Sequence, residues 1–204
     1  MWVTEDVRPT PKNIYGATKA AAEDLCQLFR RNNALACIVL RTSRFFPEPD
    51  DNSTVREAYA DDNMKANEYL YRRVDIEDVV GAHLLAAEQA PAVGFRRYII
   101  SATTPFAPPD LPELRTNAAR VAQRYVPDYE EEYARRCWTM VPGIDRVYVN
   151  ERARRELGWQ PRYDFKLIVE RLKAGEDIRS PLARRVGSKE YHAERFADGP
   201  YPVE

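Results

Sequence analysis

Glycine is scarce in this sequence, and its spacing limits the nucleotide-binding sites that the chain can build. The sequence has 8 glycines, at positions 16, 81, 94, 143, 158, 175, 187 and 199, and the closest two are 12 residues apart. Phosphate-binding loops of the GxGxxG and Walker types need closely spaced glycines, because the backbone must approach the phosphates. The sequence therefore contains neither loop.

Composition places the chain among globular proteins of ordinary size. Its 204 residues carry 31 Lys and Arg against 32 Asp and Glu, a net charge of −1, and 44% of them are hydrophobic. That length fits one domain or two small ones, with enough apolar side chains for a core. The balanced charge excludes a strongly basic surface, so nucleic acid is not an expected partner.

Cysteine, histidine and hydropathy exclude several further classes of protein. The cysteines, Cys26, Cys37 and Cys137, are far apart, and the sequence has only two histidines, His83 and His192. Neither a disulfide framework nor a metal site is predicted, and a reducing cytoplasm is the expected compartment. The N-terminal residues lack the features of a signal peptide and no stretch has the ~18 apolar residues of a membrane span, so no membrane association is predicted.

The first half of the chain alternates helical and strand patterns. Apolar residues recur at helical spacing over 12–32, and the apolar run 35–40 predicts a strand buried on both faces of a parallel sheet. The density of polar residues predicts an exposed helix over 55–70. A capped helix is expected to begin at 75–78, and 97–101 predicts a second strand.

The second half is mainly helical. Four prolines predict a linker over 103–112, and 147–149 predicts a short strand. Asn150 is expected to cap a helix over 151–157, and a further amphipathic helix is expected over 165–172. Alternating strands and helices indicate an α/β fold, with fewer strands than a complete doubly wound sheet requires.

Tyr15 and Lys19 are the first candidates for chemistry, because residues four apart near a helix start project from one face. The phenol of Tyr15 can exchange a proton with a substrate hydroxyl. The ammonium of Lys19, one turn away, favours the phenolate and can hold a ribose hydroxyl. The spacing alone is common in a chain with 12 tyrosines, so an exposed pair without a function is the alternative.

This pair stands in the first of four segments that follow one another in a recognisable order. The segments are 5–23, Ile38–Arg41, Arg73–Val79 and Arg155–Pro161. The first segment resembles an acidic, proline-containing stretch that precedes a YGxSK helix, and the second resembles a strand that enters the substrate loop. The third resembles a hydrophobic-His-Val-Asp-Asp segment, and the fourth resembles an LGWxP motif. Together these features resemble the NAD-dependent epimerase/dehydratase family of the extended short-chain dehydrogenase/reductases, over roughly residues 5–175.

The resemblance implies a fold and an activity. The implied fold is α/β, with part of a Rossmann-like parallel sheet in residues 1–102 and a small mixed α/β substrate domain in residues 103–204. The implied cofactor is NAD or NADP, and the implied substrate is a nucleotide sugar or a related hydroxyl compound. Tyr15 corresponds to the catalytic acid/base, and Lys19 to the residue that favours its phenolate and binds the nicotinamide ribose.

The resemblance also implies further site residues and a partner. Thr42 and Ser43 match positions that line the nicotinamide, and Arg44 stands where the family usually has a substrate-binding asparagine. Arg73 and the pair Asp145-Arg146 correspond to places near the nucleotide diphosphate. Family members commonly pair through the helix that bears the tyrosine, which implies a homodimer through that helix.

Departures from the family pattern leave two interpretations open. The family's glycine-rich first turn, its ribose-binding acid and its upstream serine or threonine have no counterparts before Tyr15, and Asp75 stands where the family often has histidine. In one interpretation, the chain is the C-terminal portion of an epimerase/dehydratase-like oxidoreductase. In the other, it has lost redox function and acts as a binding or assembly module.

Some residues with chemical potential have simpler interpretations. His83 is expected to be packed or partly exposed, and His192 has no visible partner in the sequence. Arg152, Arg154 and Arg155 are expected to form a solvated helix face. Arg44 is different, because it follows a predicted buried strand, where α/β sheets place their ligands, and a phosphate or carboxylate is a natural partner for it.

Overall fold

The computed structural model describes residues 1–187, and His192 lies outside them. The strands in this range are β1 (Trp2–Val3), β2 (Cys37–Thr42), β3 (Phe95–Ile100) and β4 (Val147–Tyr148). The helices are α1 (Ile14–Asn33), α2 (Ser53–Ala58), α3 (Asp61–Glu68), α4 (Ile76–Val93), α5 (Leu111–Leu114), α6 (Ala118–Tyr125), α7 (Tyr129–Arg135), α8 (Glu151–Leu157), α9 (Phe165–Ala174) and α10 (Pro181–Val186). None of these helices combines the length and the apolar character that a bilayer crossing requires.

The strands pair in parallel, which confirms the α/β class predicted from the sequence. β2 and β3 pair over their whole length, with Cys37 opposite Phe95. Beyond β2, the backbone of Arg44 forms a parallel bridge with that of Arg73, so the segment after α3 extends the sheet. β1 pairs with β4, and the amide of Tyr148 donates to the carbonyl of Tyr71 at 3.0 Å, beside the same segment.

β2 is less buried than its apolar run predicts. Cys37 to Arg41 are half-buried and Thr42 is exposed, whereas Tyr98 to Ile100 of the neighbouring β3 are buried. α1 covers β2 incompletely, since none of the residues of α1 is buried. The prediction that β2 is buried on both faces is therefore wrong.

Charged groups join α1 to the sheet. Both oxygens of Glu23 accept hydrogen bonds from Arg41, at 2.8 and 2.7 Å, and one of them also accepts from Arg97 at 2.7 Å. Burial raises the pKa of Glu23, but the two guanidinium groups outweigh it and hold this pKa below its ordinary value. Because Arg41 lies on β2 and Arg97 on β3, one carboxylate ties the helix to both strands.

The segment 55–70 corrects a second prediction. It forms two helices, α2 and α3, and the residues of α3 from Asn63 to Glu68 are buried although most of them are polar. The side-chain amides of Asn63 and Asn67 both donate to the carbonyl of Thr139, at 3.0 and 2.9 Å. Counting polar residues predicted exposure wrongly, because these side chains find their partners inside the molecule.

Apolar side chains form two clusters that cross the predicted division at residue 102. The first joins α4 and β3 to α8, and includes Val79, Tyr98, Ile100, Leu157 and Trp159. The second joins α3 to α6, α7 and α9, and includes Leu70, Val121, Tyr133, Phe165 and Ile168. Each cluster thus draws residues from both sides of the boundary, and the division into two domains stays a prediction.

The start of α8 differs from its predicted form. Asn150 precedes the helix, but its side chain does not cap it: the amide donates to the carbonyl of Ser101 at 2.8 Å and to the hydroxyl of Thr103 at 3.0 Å. The prediction of a side-chain cap was therefore wrong, because the Asn150 amide binds the segment that follows β3. Arg154 is exposed as predicted, whereas Arg152 is half-buried and pairs with Asp6 at 2.7 Å.

Gly143 offers a test of the packing in the second half. A Cβ atom added there would lie 2.4 Å from the carbonyl oxygen of Arg115, which is closer than packed atoms approach. We expect Gly143→Ala to lower the free energy of unfolding by about 1–3 kcal/mol, measured by urea denaturation, because the backbone must shift. Gly81→Ala in α4, where nothing lies within 4 Å, is the control and should raise stability by up to about 1 kcal/mol. Equal stability of the two variants would contradict the packing described here.

Candidate functional site

The predicted site residues fall into two groups in the structure. One group lies at the start of α1 and the other lies around the C-terminal end of β2, where ligands bind in parallel sheets. The first group is Tyr15 and Lys19, and the second is Thr42, Ser43, Arg44 and Arg73. The pair Asp145-Arg146 lies just before β4.

The first group sits on a capped helix start. The side-chain oxygen of Asn13 accepts a hydrogen bond from the amide of Gly16 at 2.8 Å, which fixes the first turn. One turn further along α1, the ammonium of Lys19 lies 5.3 Å from the centre of the Tyr15 ring, a cation–π contact. Tyr15 is 70% exposed, and within residues 1–187 neither side chain has a hydrogen bond or an ion pair. Both groups are therefore free to meet a ligand.

Ser43 carries a polar group that its surroundings leave unused. Its amide donates to the carbonyl of Ile100 at 2.8 Å, which holds the backbone against β3. Its hydroxyl oxygen is buried, and among the described residues it has no hydrogen-bond partner. A buried hydroxyl without a partner costs free energy, and a ligand that hydrogen bonds to it recovers that cost. Thr42, one residue earlier, is exposed.

Glu68 joins the arginines of the second group. It is 1% exposed, and one of its carboxylate oxygens accepts from Arg44 at 2.9 Å and from Arg72 at 3.0 Å. The other oxygen accepts from Arg73 at 2.8 Å. A buried carboxylate is stable only when it is paired, so three guanidinium groups are held around this one side chain.

Arg44 and Arg73 have different access to a ligand. Arg73 is 8% exposed, and its guanidinium also donates to the carbonyl of Phe46 at 2.6 Å, so its donors point into the protein. The side chain of Arg44 is 36% exposed. Burial lowers the pKa of Arg44, but the hydrogen bond to Asp50 and the charge of Glu68 outweigh it and raise this pKa above its ordinary value. Of the two, Arg44 is the one that an external anion can reach.

Asp145 and Arg146 are both exposed, beside the paired strands β1 and β4. The carbonyl of Asp145 accepts a hydrogen bond from the N-terminal amine. In the part of the chain that the structure describes, no hydrogen bond or ion pair links either residue to Arg44 or Arg73. The structure thus links Arg44 and Arg73 through Glu68, and shows no such link to this pair within residues 1–187.

Sequence reasoning missed the acidic residues of this site. Glu68 stands four residues before Arg72, the spacing at which a carboxylate and a guanidinium meet on a helix, and this was a readable signal. Asp50 forms an ion pair with Arg44 from a polar loop, and no local sequence pattern predicts this pair. Within residues 1–187, no three His, Cys, Asp or Glu side chains are arranged to hold a metal ion.

Glu68 should be the most sensitive residue of the cluster. We expect Glu68→Gln to lower the free energy of unfolding by about 3–5 kcal/mol, because three buried or half-buried guanidinium groups lose their shared carboxylate. Asp51→Asn is the matched control: it removes the same charge from a side chain that is 65% exposed and 3.9 Å from Arg44, and should cost less than about 1 kcal/mol. Thermal and urea denaturation measure both, and equal losses would contradict the role given to Glu68.

Comparison with known proteins supports the fold. No family model matches the chain, and no curated protein matches it. Among solved structures, the chain resembles UDP-N-acetylglucosamine 4-epimerase from Bacillus cereus, with a TM-score of 0.50 and 17% identity over 84% of this chain and 55% of that one. It is also similar to RMD from Pseudomonas aeruginosa complexed with NADPH, with a TM-score of 0.48 and 19% identity over 84% of this chain and 58% of that one.

This likeness covers only part of each solved structure. The chain spans between half and two thirds of the length of these two proteins. At such low identity, the likeness shows a shared fold. The chain therefore has an α/β fold that matches part of a nucleotide-sugar epimerase structure, as its parallel strands and helices indicate.

Proposed function

We propose that this chain is the C-terminal portion of an NAD(P)-dependent oxidoreductase of the epimerase/dehydratase kind, acting on a nucleotide sugar or a related hydroxyl compound. The observation that carries the proposal is the pairing of Tyr15 and Lys19 on one face of α1, where neither side chain has a hydrogen bond or an ion pair within residues 1–187. The likeness of the fold to a UDP-N-acetylglucosamine 4-epimerase supports it. So does the placement of Ser43 and Arg44 after a parallel strand.

NAD(P), when bound, accepts and returns a hydride at its nicotinamide ring. Tyr15 takes the proton from the substrate hydroxyl onto its phenolate oxygen and later gives it back. Lys19 places a positive charge on the same face of α1, and its ammonium donates to ribose hydroxyls. Because Tyr15 is 70% exposed, water screens this charge until a ligand or another part of the protein covers the face.

The residues present fit the nicotinamide end of such a cofactor. Lys19 would hold the ribose, and Ser43, whose hydroxyl has no partner within residues 1–187, would line the nicotinamide together with Thr42. No closely spaced glycines are present to cradle the pyrophosphate. On the substrate side, Arg44 would bind an anionic group, with Arg73 positioning it through Glu68.

A binding or assembly module is the second candidate, and the exposed face of α1 favours it. Large apolar side chains on this helix are open to solvent, among them Ile14 (84%), Leu25 (53%), Leu28 (47%) and Phe29 (51%). Large apolar side chains exposed along one helix are typical of an interaction site. We propose a homodimer through α1 in this case. In either case we propose a cytoplasmic location, since all three cysteines are free thiols.

Removal of the phenol hydroxyl tests the first candidate. In the protein isolated from its source, Tyr15→Phe should lower NAD(P)-linked turnover of UDP-N-acetylglucosamine or a related nucleotide sugar by a factor of about 10² to 10⁴, because the proton acceptor is lost. Tyr125→Phe, at an exposed tyrosine of α6, is the control and should leave turnover unchanged. Full turnover in Tyr15→Phe would remove the acid/base assignment.

The mass of the native protein separates the two candidates. A mass well above 23.6 kDa would mean that further residues complete the cofactor site, as the first candidate requires. A mass of 23.6 kDa with no turnover, together with a dimer that Phe29→Asp dissociates, would establish the module instead.

A further inference from the structure

The arginines after β2 are neutralised by the chain's own acids. The arginine cluster, defined as Arg44, Arg72 and Arg73, is paired with Glu68, Asp50 and Asp51. Three positive charges thus meet three negative ones. An external phosphate therefore competes with these carboxylates for the guanidinium donors of the cluster.

Asp50 is the acid that can leave. Glu68 is buried and held by three guanidinium groups, and the carboxylate of Asp51 is already 65% exposed. Asp50 has a side chain that is 11% exposed, and it lies in an irregular segment between β2 and α2. Outside the cluster, and within the residues that the structure describes, its carboxylate accepts only from the amide of Asn52 at 3.0 Å, in the same loop. The side chain can therefore move with its loop without breaking a helix or a strand.

The place of the Asp50 carboxylate suits an anionic oxygen. One oxygen, Oδ2, accepts a hydrogen bond from Arg44 and lies 3.8 Å from a guanidinium nitrogen of Arg72. Two guanidinium groups that converge on one oxygen form the arrangement that recognises phosphate. Both arginine side chains are about one third exposed, at 36% and 35%, so a ligand can reach them from solvent.

The loop has both a tether and space to move. The guanidinium of Arg56 on α2 donates to the carbonyls of Asp50 and Asp51, at 2.7 and 2.9 Å, and holds the loop against the cluster. A cavity of about 90 Å³ adjoins Asp50 and is lined also by Val55, Arg56 and Tyr59. Release of the tether would let the Asp50 side chain leave the arginines.

We propose that Asp50 is an internal substitute for an anionic ligand: its carboxylate occupies the site between Arg44 and Arg72 that an external phosphate or diphosphate group takes when the loop moves aside. The inference rests on the proposed function, in which Arg44 binds substrate, and deepens it by naming the group that Arg44 binds. In this proposal the Asp50 carboxylate occupies the arginine cluster in the unliganded protein and leaves it when a phosphate group binds.

Binding of inorganic pyrophosphate tests the proposal. A site occupied by its own carboxylate nine-tenths of the time binds an external anion about tenfold more weakly than a free site. We therefore expect Asp50→Asn to lower the dissociation constant for pyrophosphate about tenfold, measured by calorimetry at low salt on the full chain. The new side chain keeps an oxygen for the amide of Asn52, so the loop turn is preserved.

Asp51→Asn is the matched control, because it removes the same charge from the next residue of the same loop. It should change the dissociation constant by less than about twofold, since its carboxylate is exposed and 3.9 Å from Arg44. Arg44→Gln added to Asp50→Asn should abolish the gain. Equal gains in Asp50→Asn and Asp51→Asn, no gain in Asp50→Asn, or a gain that survives Arg44→Gln would each overturn the proposal.

Arg56→Gln provides a variant that leaves the cluster intact. It removes a positive charge, which by electrostatics alone weakens anion binding, but it releases the loop, so tighter binding by about two- to fivefold is expected. If Asp50→Asn does not fold, the dissociation constant of Arg56→Gln for pyrophosphate tests the proposal, and weaker binding than in the unmodified protein would overturn it. These outcomes are independent of turnover in Tyr15→Phe, so failure of this inference is distinguishable from failure of the proposed function.

Discussion

The buried carboxylate of Glu68 is the interaction on which the arrangement of the candidate site depends. It binds the guanidinium groups of Arg44, Arg72 and Arg73, and so joins the end of α3 to the residue that follows β2. Backbone bonds between Arg44 and the segment 72–74 align the same two pieces of chain. A carboxylate in this position is tolerated only while its partners stay in place, so it holds the loop end of the sheet in one arrangement.

Other carboxylates join distant parts of the chain in the same way. Glu5 accepts a hydrogen bond from the amide of Ile99 at 2.8 Å, and Asp78 accepts from the amides of Arg162 and Tyr163 at 2.9 and 3.0 Å. Burial raises the pKa of Asp78 to about 6 despite these two bonds. Buried acids, each bound to backbone amides or arginines, therefore add polar contacts between elements that are distant in the sequence.

The sequence predicted what depends on local pattern. The positions of α1, β2, α4, β3 and α9 agree with their apolar periodicity to within a few residues, and the Tyr15–Lys19 pair shares one helix face as its spacing requires. It could not predict which polar residues are buried, because their partners are remote. The amide of Asn63 in α3 donates to the carbonyl of Thr139, 76 positions away. A count of polar residues shows that the segment is polar but cannot show that such a partner exists. The prediction that Asn150 caps α8 is wrong for the same reason, since its partner, Ser101, is 49 positions away.

The two halves of the proposed site differ in how far the chain itself completes them. The arginines on the substrate side already have their carboxylates, with Glu68 buried and Asp50 nearly so. On the proton-transfer side, Tyr15 and Lys19 stand in water, on a helix without a single buried residue. A phenolate and an ammonium attract each other strongly only where water is excluded. The proposed proton transfer at Tyr15 therefore requires something that covers this face of α1, whereas the proposed anion binding at Arg44 requires that Asp50 move away from its guanidinium group.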